Sequence, residues 1–392
     1  MLRRVSIVAV LLVALTCLGS VASADPQSIP NGPWIQPEQE VRKDALTSNE
    51  ELGKKLRQIE ARSKGRLTVE VVGQSATGWP IYLAKFGKPA PGKLGVLIQT
   101  QIHGGEPLGT EAALQLIKEL AQSGHPQVKE ILDRLTIWII PRLNMDGAAF
   151  ERDGKLVQRR WNTQRWNPSE WGLPADTPAP WYYRADQDPP GFDINRDFHP
   201  DLNFRLSPQS AHLLPGTSTT PGFFVTPEAR TSAAVFQRLR PDVFIDLHHR
   251  GTNTQSAEDN QMTTLQVVGE VTKGLPEYPL DPEVHKRSLQ LNAYVYEVLT
   301  KRGQSPFTGI TRYPDVELPG TALGSYALNG AAIMLYEVRS AGQKSMGMLI
   351  EQMLVGLRAT LLGLANGEVF ATDPALYYQI PPAGPRIDNP RS

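Results

Sequence analysis

A histidine and a glutamate three residues apart are the first side chains in the sequence that could do chemistry. They lie in the segment QIHGGEPLGT, residues 101–110, directly after the apolar run LGVLIQT. An imidazole and a carboxylate are costly to bury at the end of a strand unless a partner satisfies them, and a shared cation does so. His103 and Glu106 can therefore point at one metal ion, although His-x-x-Glu alone is more often an ordinary hydrogen-bonded pair.

A second candidate set follows another apolar run, in DVFIDLHHRG. His248 or His249 could complete a His, Glu, His set that leaves a fourth coordination position open for water. Asp246 or a neighbouring carbonyl could orient one of these imidazoles through its other ring nitrogen. The alternative for DLHH alone is a pair of hydrogen-bonded histidines with no metal.

A catalytic metal site also needs a carboxylate that is not a ligand, to take a proton from water and pass it to the leaving group. Glu337, in MLYEVRS, follows a further apolar run and is the candidate for this role. The structural alternative is an ion pair between Glu337 and Arg339.

Four apolar runs position these residues. KLGVLIQTQ precedes His103, LTIWII precedes PRLNMDG, DVFIDL precedes His248, and AAIMLY precedes Glu337. Helical patterns such as TEAALQLIKELAQSG and SMGMLIEQMLVGLRATLLGLANG alternate with them. This alternation predicts an α/β fold, a three-layer α/β/α sandwich around a mixed, largely parallel sheet. Ligands of such sheets bind at the carboxyl ends of the strands, where the polar residues lie.

The first 24 residues have the pattern of a secretory signal peptide. Arg3 and Arg4 precede an apolar run, and the small residues ASA close the segment. A membrane anchor is the alternative, but the run is shorter than the roughly 20 residues that a span requires. We expect a secreted or periplasmic mature chain that starts at Asp25 and has no stable membrane anchor.

Charge and cysteine content narrow the class of protein. Removal of the leader takes two arginines from the 40 Lys and Arg residues and leaves 38, against 40 Asp and Glu. A chain this close to neutrality is not expected to bind nucleic acid. The only cysteine, Cys17, lies in the leader, so we expect no disulfide in the mature chain.

The mature chain divides into three predicted parts. Residues 25–45 form an arm, residues 46–370 a single catalytic domain, and residues 371–392 a Pro-rich C-terminal tail. Within the domain, residues 157–190 contain four of the seven tryptophans and little periodicity. This excursion either borders the site or covers core, and the sequence leaves both open.

Six segments, in order, resemble the zinc carboxypeptidases related to carboxypeptidase A. VVGQSATGWPIYLAKFG resembles the opening hairpin of that family, HGGE its first two ligands, PRLNMDGAAF its Asn-Pro-Asp-Gly segment and GFDINRDF its Asn-Arg motif. DLHH resembles the strand of the third ligand, and LYEVRS the strand of the catalytic glutamate. The resemblance covers about residues 65–365. Met145 replaces the usual proline, which affects the rigidity of the turn more than the chemistry.

The resemblance implies a role for each matching residue. His103, Glu106 and His248 would bind one Zn²⁺ per chain, with His248 preferred to His249 because it directly follows the Asp-Leu lead-in. Glu337 would be the general base.

The substrate-binding residues are also implied by the resemblance. Asn195 and Arg196 would hold the terminal carboxylate of the substrate, and Tyr313 would cover bound substrate. A further arginine would stabilise the oxyanion. We select Arg184 for this role, and the sequence leaves two alternatives open, Arg159 and Arg160.

The function implied is an exported zinc-dependent metallocarboxypeptidase that hydrolyses C-terminal amide bonds of peptides. One alternative is a zinc amidase that acts on γ-D-glutamyl cell-wall peptides or on N-acyl amino acids. The other is a non-catalytic peptide-binding module that keeps the groove without turnover.

Overall fold

The computed structural model describes residues 42–258, 262–301, 309–339 and 345–387. The predicted leader and all but the last few residues of the predicted arm lie outside the described residues. Residues 43–45, at the end of that arm, form a short 3₁₀ turn.

An eight-stranded mixed sheet runs through the centre of the described chain. Its spatial order is β1-β2-β4-β3-β5-β8-β6-β7, and the four central strands β4, β3, β5 and β8 are parallel. The outer pairings β1–β2, β2–β4 and β8–β6 are antiparallel. This confirms the predicted mixed, largely parallel sheet. The strands are β1 Leu67–Gln74, β2 Pro80–Phe86, β3 Leu94–Thr100, β4 Leu135–Ile140, β5 Val243–Arg250, β6 Leu265–Val268, β7 Ile310–Arg312 and β8 Ala332–Arg339.

Helices cover both faces of the sheet. On one face Tyr326 stacks on Phe236 and meets Phe244 edge-on. On the other face the Tyr336 hydroxyl lies 2.7 Å from the Thr360 hydroxyl. The helices are α1 Asn49–Ala61, α2 Leu108–Gln122, α3 Pro126–Arg134, α4 Met145–Ala148, α5 Pro227–Leu239, α6 Pro282–Tyr296, α7 Ala322–Ala327, α8 Met346–Ala365 and α9 Glu368–Ala371.

Local sequence signals account for several element ends. A capping box begins α1: the Ser48 side chain accepts from the Glu51 N–H, and Glu51 accepts from the Ser48 N–H. The predicted hairpin of β1 and β2 is also present, in the register Leu67 to Phe86.

Helix α8 is long and apolar enough to cross a membrane by length and composition alone. Most of it is buried, and it packs against α2, α3 and β8. Core helices of globular domains have the same composition.

The described part of the predicted C-terminal tail, residues 371–387, packs on the domain. Tyr377, in the 3₁₀ segment Pro374–Gln379, is buried, and its hydroxyl accepts from the Gly269 N–H at 3.2 Å. The strand Arg386–Ile387 pairs with Thr252–Asn253. Contacts of the buried Tyr377 therefore hold this segment on the domain, although its proline content predicts an irregular chain.

The Trp-rich excursion forms short pieces without long helices or strands. They are the 3₁₀ turn Pro168–Trp171 and the hairpin Tyr183–Arg184 with Gly191–Phe192. Tyr182 and Phe192 belong to a small separate apolar core that also contains Leu206 and Phe223. The segment therefore covers core through Tyr182. It also borders a cavity at the carboxyl edge of the sheet, because Arg160 lines that cavity.

The sheet topology brings the predicted site residues to one edge. Along the chain, β4 is added on one side of β3, whereas β5 lies on the other side, so the strand order reverses at β3. Ligand sites of open α/β sheets lie outside the carboxyl ends of strands at such a reversal. His103 follows β3, and His248 lies within β5, opposite Glu337 of β8 in register. Both strands continue two residues beyond these positions, which gives the two side chains a rigid backbone.

A buried pair of carboxyl groups lies behind this edge. Asp146, in the NMDG segment, accepts from the Ser75 and Thr77 hydroxyls. Glu228, in the first turn of α5, accepts from the Ala76 N–H and from Asn162, each at 3.2 Å. Burial, reinforced by the Asp146 charge, raises the pKa of Glu228 to about 8.

This pKa predicts a pH-dependent stability. The folded chain holds a proton on Glu228 that the unfolded chain loses near pH 4.5. The contribution of Glu228 to the free energy of unfolding therefore falls as the pH rises from about 4.5 to about 8. Each unit of raised pKa corresponds to about 1.36 kcal/mol. Glu228→Gln, which stays neutral, is expected to melt higher than the unchanged chain at pH 8 and to show a flatter decline above pH 5. An identical pH dependence of melting in both proteins would contradict this assignment.

Candidate metal centre

Three side chains converge on one point at the carboxyl edge of the sheet. The Nδ1 atoms of His103 and His248 lie 3.1 Å apart. The Glu106 carboxylate lies 2.8 Å from His103 Nδ1 through Oε1 and 3.1 Å from His248 Nδ1 through Oε2. Two ligands at about 2.1 Å from a tetrahedral Zn²⁺ lie roughly 3.4 Å apart, so this spacing fits a zinc ion.

A carboxylate stands behind each imidazole. His103 Nε2 lies 3.4 Å from Asp193 Oδ1, and His248 Nε2 lies 3.0 Å from Asp246 Oδ2. Such partners fix the tautomer of a ligating histidine, so that the Nδ1 lone pair faces the metal. Asp246 thus lies beside His248, at the place expected from its position two residues earlier in the chain. Asp193 was not singled out from the sequence, and its only signal was an acid two residues before Asn195 in FDINR.

The turn that presents His103 and Glu106 is held tightly in place. The Glu106 N–H donates to the His103 carbonyl at 3.0 Å, and Gln101 donates to the Gly104 carbonyl at 2.8 Å. A Cβ on Gly104 would lie 2.3 Å from the Gly147 carbonyl carbon, so only glycine allows this approach of the two segments. The HGGE and NMDG segments therefore pack backbone to backbone.

The charges of this cluster call for a cation. Burial alone would raise the pKa of Glu106, but His103 and His248 hold it well below its ordinary range. Burial alone would lower the pKa of His248, but Asp246 and Glu106 hold it well above its ordinary range. Without a metal, a proton on His248 would offset part of the negative charge of the carboxylates, whereas a bound metal takes over that role.

A charge count agrees with a divalent ion. In the described chain, four carboxylates and two guanidinium groups either contact the proposed metal ligands or line the cavity beside them. With neutral, ligating histidines they sum to a charge of −2, which one Zn²⁺ would balance. These groups are Glu106, Asp193, Asp246, Glu337, Arg160 and Arg196.

A cavity of about 300 Å³ opens beside the cluster, at the small end of the range for ligand pockets. The predicted residues Asn195, Arg196, Tyr313 and Glu337 all line it. Asn195 Oδ1 accepts from the Ala322 N–H at 3.1 Å, which ties the Asn-Arg segment to the start of α7.

Arg160 is the second arginine of the cavity. Its Nη1 lies 3.2 Å from His103 Nδ1, and its Nε donates to Asp193 at 2.9 Å. Its carbonyl accepts from the Gly104 N–H and from Asn144, which fixes the backbone on both packed segments. Asp193 thus positions both an imidazole and a guanidinium.

Arg184, selected from the sequence for the oxyanion role, lies outside this cavity. Its guanidinium pairs with Asp186 at 2.7 Å, is partly exposed, and lies over the Trp161 ring. Arg159 donates to the Pro189 carbonyl and lies over the Phe150 ring. Of the three arginines considered from the sequence, Arg160 lines the cavity, whereas Arg184, the residue selected, and Arg159 do not.

His249 is buried but does not join the three converging side chains. Neighbouring residues of a strand point to opposite faces, and His249 Nε2 accepts from the Leu108 N–H at 3.5 Å. Burial lowers the pKa of His249 to about 4.

Comparisons with known proteins agree with this arrangement. The family model of the zinc carboxypeptidases matches residues 52–295. Carboxypeptidase E of Caenorhabditis elegans is 29% identical over 160 residues, which are 39% of this chain and 29% of that protein. The aligned segment thus spans less than a third of that relative.

Solved structures, a metallo-carboxypeptidase among them, have the same fold. Bovine thrombin-activatable fibrinolysis inhibitor superposes with a TM-score of 0.54 at 16% identity, over 83% of this chain and 99% of that one. A metallo-carboxypeptidase from Burkholderia cenocepacia gives a TM-score of 0.52 at 17% identity, over 83% of this chain and 70% of that one.

Zinc is expected to stabilise the fold. At a free concentration 100-fold above its Kd, a ligand that binds only the folded state adds about 2.7 kcal/mol, so zinc should raise the melting temperature of metal-stripped protein and a chelator should lower it. Glu106→Gln removes a proposed ligand. It should weaken zinc binding by more than the roughly 10–100-fold loss of affinity that follows mutation of a residue hydrogen-bonded to a ligand. Glu337→Gln makes the same change in a cavity carboxylate that is not a proposed ligand, and should retain the zinc effect. A melting temperature, measured by calorimetry, that neither zinc nor a chelator changes would contradict the proposed zinc site.

Proposed function

Since the chain belongs to the zinc carboxypeptidase family, we propose that it is a zinc-dependent carboxypeptidase that hydrolyses the C-terminal amide bond of peptides. The observation that carries the proposal is that the three proposed metal ligands, the Glu337 carboxylate and two arginines all line one cavity. A peptide terminus presents a carboxylate two bonds from the nitrogen of its last amide. A site that combines an anion clamp with hydrolytic groups is suited to that substrate.

Arg196 and Asn195 are the proposed clamp for the terminal carboxylate. A planar guanidinium recognises a carboxylate through two parallel hydrogen bonds. The Arg196 Nη1 donates to the Asn195 carbonyl at 2.6 Å, which orients the guanidinium within the cavity. Tyr313 lines the same cavity and is the proposed cover for bound substrate.

Amide hydrolysis needs a base for the attacking water, a donor for the oxyanion and an acid for the leaving amine. Glu337 is the proposed base, which takes a proton from water and then passes it to the amine nitrogen. Arg160 is the proposed oxyanion donor, a role supported by its position beside His103. When bound, Zn²⁺ supplies Lewis acidity that polarises a carbonyl and lowers the pKa of water.

Export is part of the proposal. Its support is the sequence alone, the basic start, apolar run and small closing residues of positions 1–24. A mature protein that starts at Asp25 has a mass that distinguishes it from the uncleaved chain.

The function is tested on residues 25–392 by mass spectrometry of a mixed peptide library with cell-wall muropeptides, with and without a zinc chelator. We expect chelator-sensitive loss of single C-terminal residues. Glu337→Gln should reduce this turnover by about 10²–10⁴-fold because it removes the proton acceptor, while metal analysis still finds one zinc per chain.

Other outcomes select other functions. Cleavage of muropeptides alone would favour the cell-wall amidase, and a zinc-loaded chain that cleaves nothing would favour a binding module. Normal turnover of Glu337→Gln would contradict the general-base assignment.

The oxyanion assignment is tested by a matched pair of arginine variants. Arg160→Ala should lower kcat by about 10²–10³-fold, the usual effect of removing one oxyanion donor. Arg184→Ala removes the same side chain from outside the cavity and should change kcat by less than about twofold, as expected for a partly exposed ion pair. Metal content measured in both variants excludes zinc loss as the cause. Equal losses, or a larger loss for Arg184→Ala, would contradict the assignment.

A further inference from the structure

The wall of the cavity beside the arginine clamp is apolar. A terminal residue carries its carboxylate and its side chain on the same Cα, so the surface next to the carboxylate clamp receives that side chain. Leu323 belongs to α7, whose first N–H is bonded to Asn195. The other apolar lining residues are Val268, Val271, Val316, Leu318 and Leu335.

These side chains come from two paired strands, from α7 and from connecting segments. Leu335 of β8 pairs with Val268 of β6. The Leu318 N–H donates to the Val271 carbonyl at 2.8 Å, which holds the 316–318 segment against the end of β6. The wall is therefore part of the packed fold.

Polar groups on the segment 315–321, which carries part of this wall, form hydrogen bonds or ion pairs within the fold. The Thr321 hydroxyl donates to the Leu318 carbonyl at 2.8 Å and accepts from the Gly324 N–H at 3.0 Å. Glu317 lies between two lining residues, but its carboxylate accepts from the Thr272 hydroxyl and from the Lys273 N–H. Asp315 is exposed and lies 3.4 Å from Arg312. Val316 and Leu318 thus line the cavity, whereas the carboxylate of Glu317 between them is bonded to Thr272 and Lys273.

The charged lining groups of the described chain all belong to the metal cluster, the proposed base or the arginines. A cationic terminal side chain would enter the apolar wall without a carboxylate partner, and an anionic one would lose water without a partner of its own, both at a high cost. An aliphatic or aromatic side chain gains free energy from burial against the same wall.

From this wall, and on the basis of the proposed function, we infer that the site selects peptides whose C-terminal residue is apolar. Val316 is a specificity-determining residue in this inference, because its half-buried side chain lines the cavity.

The test compares kcat/KM for peptides that differ only in the terminal residue, Leu, Phe, Lys or Asp, with the zinc-loaded residues 25–392. Leu and Phe should exceed Lys and Asp by at least roughly 100-fold. Release of Lys or Asp as fast as Leu would overturn the specificity while leaving the carboxypeptidase function intact. Release of no terminal residue from any peptide would instead overturn the proposed function.

Variants locate the determinant. Val316→Asp adds a carboxylate to the wall and should raise the ratio of Lys to Leu turnover by at least about tenfold. Val316→Thr, similar in shape and uncharged, should keep the preference for Leu, and its melting temperature controls for folding. Glu317→Gln should leave the ratio unchanged. An unchanged ratio in a folded Val316→Asp, or a changed ratio in Glu317→Gln, would overturn the assignment.

Discussion

The convergence of two imidazole nitrogens and one carboxylate on a single point is the constraint on which the rest of the site depends. His103, Glu106 and His248 lie within 4.8 Å of one another through their ligand atoms. Buried groups of this kind are stable together only with a cation between them or with protons that compensate the carboxylates. The match to the zinc carboxypeptidase family favours the cation, since the three side chains form a set that could hold a metal ion.

The sheet supplies the geometry that this convergence requires. His103 leaves β3, His248 lies on β5 beside it, and Glu337 lies on β8 beside β5. Adjacent strands are about 4.8 Å apart, so neighbouring positions bring side chains within reach of one ion and one substrate. Asp193 connects this arrangement to the substrate side, since it contacts both His103 and Arg160. One carboxylate therefore couples the metal ligand to the arginine that would stabilise the oxyanion.

The sequence predicts the parts of the site that lie on regular elements. Apolar runs define the strands, and the polar residues that end them identify His103, Glu106, His248 and Glu337 as cavity residues. Arg160 could not be chosen over Arg184 in this way, because the Trp-rich excursion has no periodicity from which the direction of its side chains follows. The apolar wall was equally hidden, since its residues come from β6, β8, α7 and connecting segments. The packed C-terminal segment depends on tertiary contacts of Tyr377, which its local proline content does not reveal.

Anomalous diffraction at the zinc absorption edge, from crystals of the zinc-loaded chain, would locate the metal directly. We expect one peak at about 2.0–2.2 Å from Nδ1 of His103, Nδ1 of His248 and the Glu106 carboxylate. We also expect hydrogen bonds from the opposite ring nitrogens to Asp193 and Asp246. The absence of a peak at this position, or an ion held by His249 instead of His248, would show that these three side chains do not form the zinc site.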